Sequence, residues 1–292
     1  MTTLRRRGAL AHYPGGFAPP RGGQLGPVTR AQALRTLSAM ADRAKAEGWH
    51  TPLPPQEHAQ VRKALIALKG VLPAPAREAL LAECLARTVC AEAGKPIKQA
   101  RGEVARCIDT FSFAAAEARK LAGTLVPMDA SAAGANKLAY IIREPIGVVG
   151  AISPFNFPLN LVSHKLAPAV AAGCPVVLKP ASNTPLSGLA PAGILMEAGL
   201  PAGYLTVVVG GGESVGNAIV DHPDVRMTSF TGSPPVGWEI RRRQPRKEVT
   251  LELGNATPVL VAADADLDRA ATKLAASGYR HAGQSCISVQ RV

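Results

Sequence analysis

Three side chains in the second half of the sequence have the chemistry of a nucleophilic reaction centre. Cys286 follows a Gly-Gln-Ser sequence in a polar segment, where a thiol can act as a nucleophile. Glu252 ends an otherwise apolar run, and we expect a buried carboxylate there that suits a general base. Asn156 lies in a turn between two prolines, as a neutral donor able to stabilise an oxyanion. A buried structural cysteine and an asparagine helix cap are the structural alternatives for Cys286 and Asn156.

Three further segments have residues suited to ribose or phosphate groups. Lys179 ends an apolar run before Pro180, and its ammonium needs such a partner unless the side chain extends to solvent. The glycine-rich segment 210–216 leads into a helical pattern, which suits a phosphate, although a flexible tight turn explains it too. Gly232 and Ser233 precede a proline at a helix start, so Ser233 and the adjacent N–H groups could hold a pyrophosphate or simply cap the helix.

The elements that must position these side chains follow from the apolar pattern. Five short β-rich runs are predicted at residues 147–153, 175–179, 205–210, 226–232 and 249–253. Helical patterns separate them at residues 157–172, 186–198, 213–221 and 235–243. Most strands are continuous apolar runs, as expected when helices cover both faces of a sheet. We therefore predict an α/β fold, with an open parallel Rossmann-like sheet and flanking helices, that binds ligands beyond the carboxyl ends of its strands.

The first part of the chain has a different texture. Residues 1–30 are rich in Gly and Pro and have no apolar period, so we expect a poorly ordered N-terminal segment. Helical patterns begin near residue 31 and include the ranges 76–92 and 98–121. The sequence therefore predicts a helical region before the sheet.

Composition excludes several classes of protein. With 47% apolar and 18% charged residues, the chain is neither disordered nor collagen-like, and 4% aromatic residues provide few stacking platforms for nucleic acid. The net charge of +12 is concentrated: residues 1–50 hold eight Lys and Arg against two acids, and residues 241–250 hold five against one. No CxxC pair occurs, so we expect no disulfide framework and no metal site. No long apolar run occurs, so we expect no membrane partner. The concentrated charge comes with no nucleic-acid-binding motif, so we expect no nucleic-acid partner, and the expected location is cytoplasmic.

Together, Asn156, Glu252 and Cys286 supply an oxyanion donor, a base and a thiol on a dinucleotide-type sheet. This set suits thioester-mediated oxidation of an aldehyde. The sequence resembles the NAD(P)-dependent aldehyde dehydrogenase superfamily in six segments that keep the family's order: EPIGVVGAISPFNFPLNL, LKPASNTPLSGL, AGLPAGYLTVVVG, MTSFTGSPPVG, VTLELGNATPVLV and GQSCISVQRV. The helical segment AEAGKPIKQARGEVARCIDTF fits as well, and the resemblance continues to the last residue.

The resemblance implies a role for each matched residue. Cys286 would be the nucleophile, Glu252 the general base, and Asn156 with the Cys286 N–H the oxyanion hole. Lys179 would bind the adenosine ribose and residues 232–233 the pyrophosphate. The contacts implied for NAD or NADP are Ser153, Pro154, Phe155, Lys179, Ser182, Gly212, Gly216, Phe230, Gly232, Ser233, Val236 and Leu253.

The resemblance also bears on cofactor, product and substrate. Ser182 stands where family members strict for NAD often carry Glu, so we expect NADP to be tolerated. Glu252 favours hydrolysis to the acid over transfer to coenzyme A. The segments FTGSPPVGWEI and GQSCISVQRV resemble the branch that acts on small polar aldehydes, such as lactaldehyde or the phosphono- and sulfo-aldehydes.

The sequence departs from the family in two places. Asn255 replaces the second glycine of the family's LELGG run, where its tolerance of left-handed backbone should preserve the turn. The chain ends six residues past Cys286, whereas family members continue well beyond. We therefore expect an NAD(P)-binding domain at 31–253 and the start of a truncated catalytic domain at 254–292. A strand over ISVQRV would lack sheet neighbours, and the strand through which family members homo-oligomerise would be missing. The alternative function is a catalytically inactive fragment that retains at most nucleotide binding.

Overall fold

The computed structural model of the protein describes residues 74–256 and 258–292. The predicted poorly ordered segment 1–30 and the helical patterns predicted between residues 31 and 73 lie outside the described residues. No helix within the described ranges is long and apolar enough to cross a membrane.

A pair of helices precedes the sheet. Helix α1 spans Ala74–Ala93 and helix α2 spans Ile97–Ala118, close to the predicted ranges 76–92 and 98–121. Gly94 follows α1 in the left-handed region, with φ of 62°, and Pro96 precedes α2. Apolar side chains of both helices pack together with Leu159, the residue before the first helix of the α/β unit: Ala86, Val89, Ala100, Val104 and Cys107.

The α/β unit has five parallel strands. After two short antiparallel strands, β1 (Thr124–Val126) and β2 (Ala139–Ile141), the chain forms β3 (Val148–Ile152), β4 (Val176–Lys179), β5 (Leu205–Val207), β6 (Val225–Thr231) and β7 (Glu248–Glu252). Strands β3 to β7 form one sheet in the order β5-β4-β3-β6-β7, and every pairing in it is parallel. The predicted open parallel sheet is confirmed.

Helices alternate with these strands. They are α3 (Asn160–Ala171), α4 (Pro185–Glu197), α5 (Asn217–Asp221), α6 (Pro234–Arg243) and α7 (Leu267–Tyr279). The main core lies between α3 and strands β3 and β4, where Val162 and Leu166 pack against Val149, Val176 and Leu178. From β3 the chain moves outward to β4 and β5, and then returns to β6 and β7 on the other side. The crevice at the carboxyl ends of β3 and β6 is therefore the topological switch point, where open parallel sheets bind ligands.

The structure differs from the sequence-based expectation in four segments. The pairing of β1 with β2 and helix α7 were not predicted; α7 begins after Asp266, whose side chain accepts a hydrogen bond from the Arg269 N–H. The strand expected over ISVQRV is absent: Arg291 forms only an isolated parallel bridge with Pro258, so this prediction was wrong. The glycine-rich segment forms a single π turn, Gly212–Gly216, that runs directly into α5.

Candidate active site

Loops after four parallel strands meet at the carboxyl edge of the sheet. The Ser153 N–H, just after β3, donates to the carbonyl of Lys179, the last residue of β4, over 3.1 Å. On the other side of the switch point, the Gly232 N–H donates to the carbonyl of Glu252, the last residue of β7, over 3.1 Å. Because β3 and β6 are direct neighbours, residues far apart in sequence share one crevice.

Asn156 lies in the turn from β3 to α3 and is half-buried. Its Nδ2 donates to the Gln284 carbonyl over 3.0 Å, and its Oδ1 accepts from the Phe157 N–H over 3.1 Å. Helix α3 begins only at Asn160, and Leu159 precedes it, so Asn156 is not the helix cap of the structural alternative. The Gln284 contact places the amide two residues from Cys286, and the second amide hydrogen has no acceptor among the described residues.

Cys286 lies in a turn that follows α7 and is a free, half-buried cysteine, not a deeply buried structural one. The turn is fixed by two bonds to the Ser285 carbonyl, from the Ser288 N–H over 3.1 Å and the Ser288 hydroxyl over 2.8 Å. Just before it, His281 and Ala282 hold left-handed backbone, with φ of 53° and 54°. Such backbone is strained for residues other than glycine and occurs often near functional sites.

Glu252 is exposed, and the expectation of a buried carboxylate was wrong. It ends β7, an outer strand of the sheet whose residues alternate between exposed and half-buried positions. Only one face of this strand is covered, and Glu252 lies on the open one. No hydrogen bond within the described residues joins Glu252 to Cys286 or Asn156. Its carboxylate is nevertheless close enough to favour the charged forms of Lys165 and His164.

Lys165 is a buried cation that sequence analysis missed. From α3 its Nζ donates to Ser229 Oγ over 3.1 Å and to Thr231 Oγ1 over 2.8 Å, both on β6. Burial lowers the pKa of Lys165 to about 8, against the opposing influence of the Glu252 carboxylate. The signal available in the sequence was the position of Lys165, directly before the apolar helical run LAPAVAA. This side chain ties α3 to the strand that ends at the switch point.

Lys179 is buried, with 5% of its surface exposed, so the alternative of a side chain reaching solvent is excluded. Its Nζ donates to the Pro180 carbonyl over 3.3 Å, and burial lowers the pKa of the amine. Gly216 lies beside its stem: a Cβ there would be 3.8 Å from Lys179 Cδ. The exposed Ser182 donates from Oγ to the Gly210 carbonyl over 3.0 Å, which joins the Lys179 loop to the glycine-rich segment.

Ser233 precedes α6, whose first residue is Pro234. Its side chain makes no capping hydrogen bond, so the hydroxyl does not perform the capping role proposed as the alternative. Gly232 has no room for a side chain, because a Cβ there would be 2.5 Å from the Phe230 ring. The first two residues of α6 are prolines, which have no N–H, so the N–H groups without a partner among the described residues at this helix start are those of Ser233 and Val236, and these could contact an anion.

The remaining predicted cofactor residues flank this crevice. Ser153 is buried, and its hydroxyl has no hydrogen-bond partner among the described residues. Pro154 is half-buried and Phe155 is exposed. Gly212 begins the π turn, and Val236 is exposed on the first turn of α6. Leu253 packs toward α6, since a Cβ on Gly237 would meet it at 2.6 Å.

Asn255, where left-handed backbone was expected, adopts another conformation. The non-glycine residues with positive φ in the described ranges are Asn136, His281 and Ala282. Asn255 is exposed three residues beyond Glu252, so its side chain is not forced into the crevice by a tight left-handed turn.

Comparison with known proteins gives consistent matches. A model of the aldehyde dehydrogenase family matches residues 76–292. The chain is 46% identical over 210 residues to the 3-sulfolactaldehyde dehydrogenase of Priestia aryabhattai, a match that covers 72% of this chain and 44% of that protein. It is 42% identical over 210 residues to the NADP(+) succinate-semialdehyde dehydrogenase of Escherichia coli strain K12, covering 71% of this chain and 43% of that protein.

A solved structure is similar across most of the chain. The crystal structure of a glyceraldehyde-3-phosphate dehydrogenase from Methanocaldococcus jannaschii, complexed with NADP, superposes with a TM-score of 0.68 at 38% identity. The match covers 91% of this chain and 55% of that one. This chain therefore spans about half the length of that structure and somewhat less than half of the curated relatives it matches.

Proposed function

The chain belongs to the aldehyde dehydrogenase family, and from that premise we propose that its carboxyl-edge crevice oxidises a small polar aldehyde to the carboxylic acid with NADP+ or NAD+. The observation that carries this proposal is the 3.0 Å hydrogen bond from Asn156 Nδ2 to the Gln284 carbonyl. It joins segments 128 residues apart and brings an amide donor beside the loop of a free thiol.

Three residues have defined roles in the proposed reaction. The Cys286 thiolate attacks the aldehyde carbon and forms a thiohemiacetal. Asn156 uses its second amide hydrogen, together with the Cys286 N–H, to stabilise the oxyanion. After oxidation, Glu252 removes a proton from water, which hydrolyses the thioester to the acid and frees the thiol. The exposure of Glu252 suits this role, because the carboxylate must meet water.

The crevice fits a nicotinamide dinucleotide. Among the described residues, the buried Lys179 ammonium has only the Pro180 carbonyl as a partner, and the buried Ser153 hydroxyl has none. A group rich in hydroxyl and phosphate oxygens would satisfy both. Lys179 and Ser182 would hold the adenosine ribose, and the segment 232–233 would hold the pyrophosphate. When bound, the nicotinamide would accept a hydride from the thiohemiacetal.

Two observations favour NADP+. Residue 182 is a serine and not a glutamate, so its side chain does not repel a 2′-phosphate at the proposed ribose position. The name of the E. coli relative specifies NADP(+), and the M. jannaschii structure is an NADP complex. For the substrate, the Priestia relative is named for sulfolactaldehyde and the E. coli relative for succinate semialdehyde. We propose a small aldehyde with a second polar or anionic group.

The test is aldehyde-dependent reduction of NADP+ by the purified chain, followed by the absorbance of the reduced nicotinamide. Cys286→Ser should abolish turnover while NADP+ binding, measured by calorimetry, remains. Cys90→Ser is the matched control, because Cys90 is also a half-buried free cysteine but lies on α1. Binding of NADP+ without turnover by the wild-type chain would favour the alternative of an inactive nucleotide-binding fragment. Absence of both from a folded chain would refute the proposal.

A further inference from the structure

Two carboxylates of the N-terminal helix pair reach the first residues of helices that follow the site loops. Glu103 of α2 contacts the start of α3, which follows the Asn156 turn. Glu92 of α1 contacts the start of α4, which follows the Lys179 loop: it accepts hydrogen bonds from the N–H groups of Leu186 and Ser187, both over 2.7 Å. The helix pair thus holds the α/β unit at two points on its functional edge.

The Glu103 carboxylate is deeply buried, and both of its oxygens have partners. Oε1 accepts from the Leu159 N–H over 2.9 Å and the Asn160 N–H over 3.1 Å. Oε2 pairs with Lys95 Nζ, and both side chains are almost completely inaccessible to solvent. The two N–H groups at the start of a helix have no intrahelical acceptor, so the carboxylate satisfies donors that would otherwise be orphaned.

The same ion pair reaches the residue next to Asn156. Lys95 Nζ lies 3.8 Å from the centre of the Phe157 ring, a cation–π contact. The Phe157 ring also contacts His281, at 6.2 Å between centroids, in the strained segment that precedes Cys286. The hydrogen bonds to the Leu159 and Asn160 N–H groups and the ring contacts of Phe157 therefore restrain the turn that contains Asn156.

We propose that Glu103, held by Lys95, is a positioning residue for Asn156: it fixes the start of α3 and hence aims the amide at the Cys286 loop. This inference rests on the proposed function for its catalytic meaning. Its structural content is independent of turnover, because it concerns the contact between Asn156 Nδ2 and the Gln284 carbonyl.

A pair of double variants separates positioning from the removal of buried charge. Lys95→Met/Glu103→Gln and Lys95→Met/Glu103→Leu both eliminate the ion pair, and replacement of both buried charges is often tolerated in folding. Only the glutamine variant keeps an oxygen that can accept from the Leu159 and Asn160 N–H groups. The two variants therefore differ in the contact that the proposal invokes.

The direct readout is the side-chain amide of Asn156 in NMR spectra of the full chain, assigned by its loss in Asn156→Asp. We expect the glutamine variant to keep the wild-type shift and solvent-exchange rate. We expect the leucine variant to exchange at least about fivefold faster, as expected for loss of one hydrogen bond. In the turnover assay, the leucine variant should lose about tenfold or more in kcat with KM little changed, and glutamine should rescue it.

Glu92→Leu is the control for a generic effect of removing a helix-capping carboxylate. It should leave the Asn156 signal unchanged, because Glu92 contacts α4 and not the Asn156 turn. An unchanged Asn156 amide in the leucine double variant, or an equal change in Glu92→Leu, would overturn the proposal. If that double variant does not fold, Glu103→Asp is the replacement test, because it keeps the charge but has a side chain one methylene shorter. A wild-type Asn156 signal in Glu103→Asp would also overturn the proposal. Absence of turnover in the wild-type chain would count against the proposed oxidation but would leave the NMR comparison intact.

Discussion

Replacement of Lys165 by methionine should remove a specific pH dependence from the stability of the protein. The Lys165 ammonium is buried between α3 and β6, and its pKa falls from the ordinary value of 10.5 to about 8, chiefly through burial. At about 1.4 kcal/mol per unit, this shift corresponds to about 3 kcal/mol of unfolding free energy lost when the amine is charged.

The sign and the pH window follow from proton binding. Below pH 8 the amine is protonated in both the folded and the unfolded states, so the full penalty of burying the charge is present. Between about pH 8 and pH 10.5 the unfolded chain holds the proton and the folded chain does not, and the contribution to stability therefore rises with pH. From about pH 7 to about pH 9.5 the expected gain is about 2 kcal/mol.

The assay is urea unfolding, followed by far-ultraviolet circular dichroism, at these two pH values. We expect the unfolding free energy of wild type to gain about 2 kcal/mol relative to Lys165→Met over this interval. Loss of the bonds to Ser229 and Thr231 also affects the variant, but these hydroxyls do not titrate here, so that effect cancels in the comparison. Lys120→Met, at an exposed lysine, is the control and should follow wild type. A difference between wild type and Lys165→Met that stays constant with pH would refute the assignment of a depressed pKa.

Three further predictions concern the nucleotide side of the crevice. Lys179→Met should weaken NADP+ binding by about tenfold or more in calorimetry, because a buried charged donor to the ligand is lost; unaltered affinity would place the ribose elsewhere. Ser182→Glu should lower affinity for NADP+ more than for NAD+, through repulsion between the carboxylate and the 2′-phosphate, and equal losses would contradict that placement. Gly232→Ala should destabilise the chain by about 1–3 kcal/mol in urea unfolding, since its Cβ would meet the Phe230 ring at 2.5 Å; a stability equal to wild type would contradict the close approach.

The parallel sheet was predictable because most of its strands are nearly continuous apolar runs. Runs such as 147–153 and 175–179 have the near-continuous hydrophobicity of buried strands, and the helical patterns between the strands leave little choice of connection. The pair β1 and β2 escaped prediction because its strands are only three residues long and mostly exposed, so they show no regular burial pattern. Helix α7 escaped for a related reason: none of its residues is buried.

For the candidate site, the sequence was sufficient to predict which loops carry the residues. Asn156, Lys179 and Glu252 lie at the carboxyl edge because each ends or follows a parallel strand, and the sequence order of the strands requires this. The burial of Glu252 could not be judged from its apolar neighbours, because exposure depends on β7 being an outer strand in the sheet. Lys165 was missed because its partners, Ser229 and Thr231, lie more than sixty residues away on β6.

The most direct test of the central claim is the mass of the Cys286 peptide after the chain reacts with an aldehyde and NADP+ and is quenched in acid. Sulfolactaldehyde and succinate semialdehyde are the first substrates to use. We predict an acyl adduct on Cys286 that accumulates in Glu252→Gln, where hydrolysis of the thioester lacks its base. Cys286→Ser should show no adduct at this position. An unmodified Cys286 in folded wild-type and Glu252→Gln chains that bind NADP+, or an acyl group on another cysteine, would contradict the account.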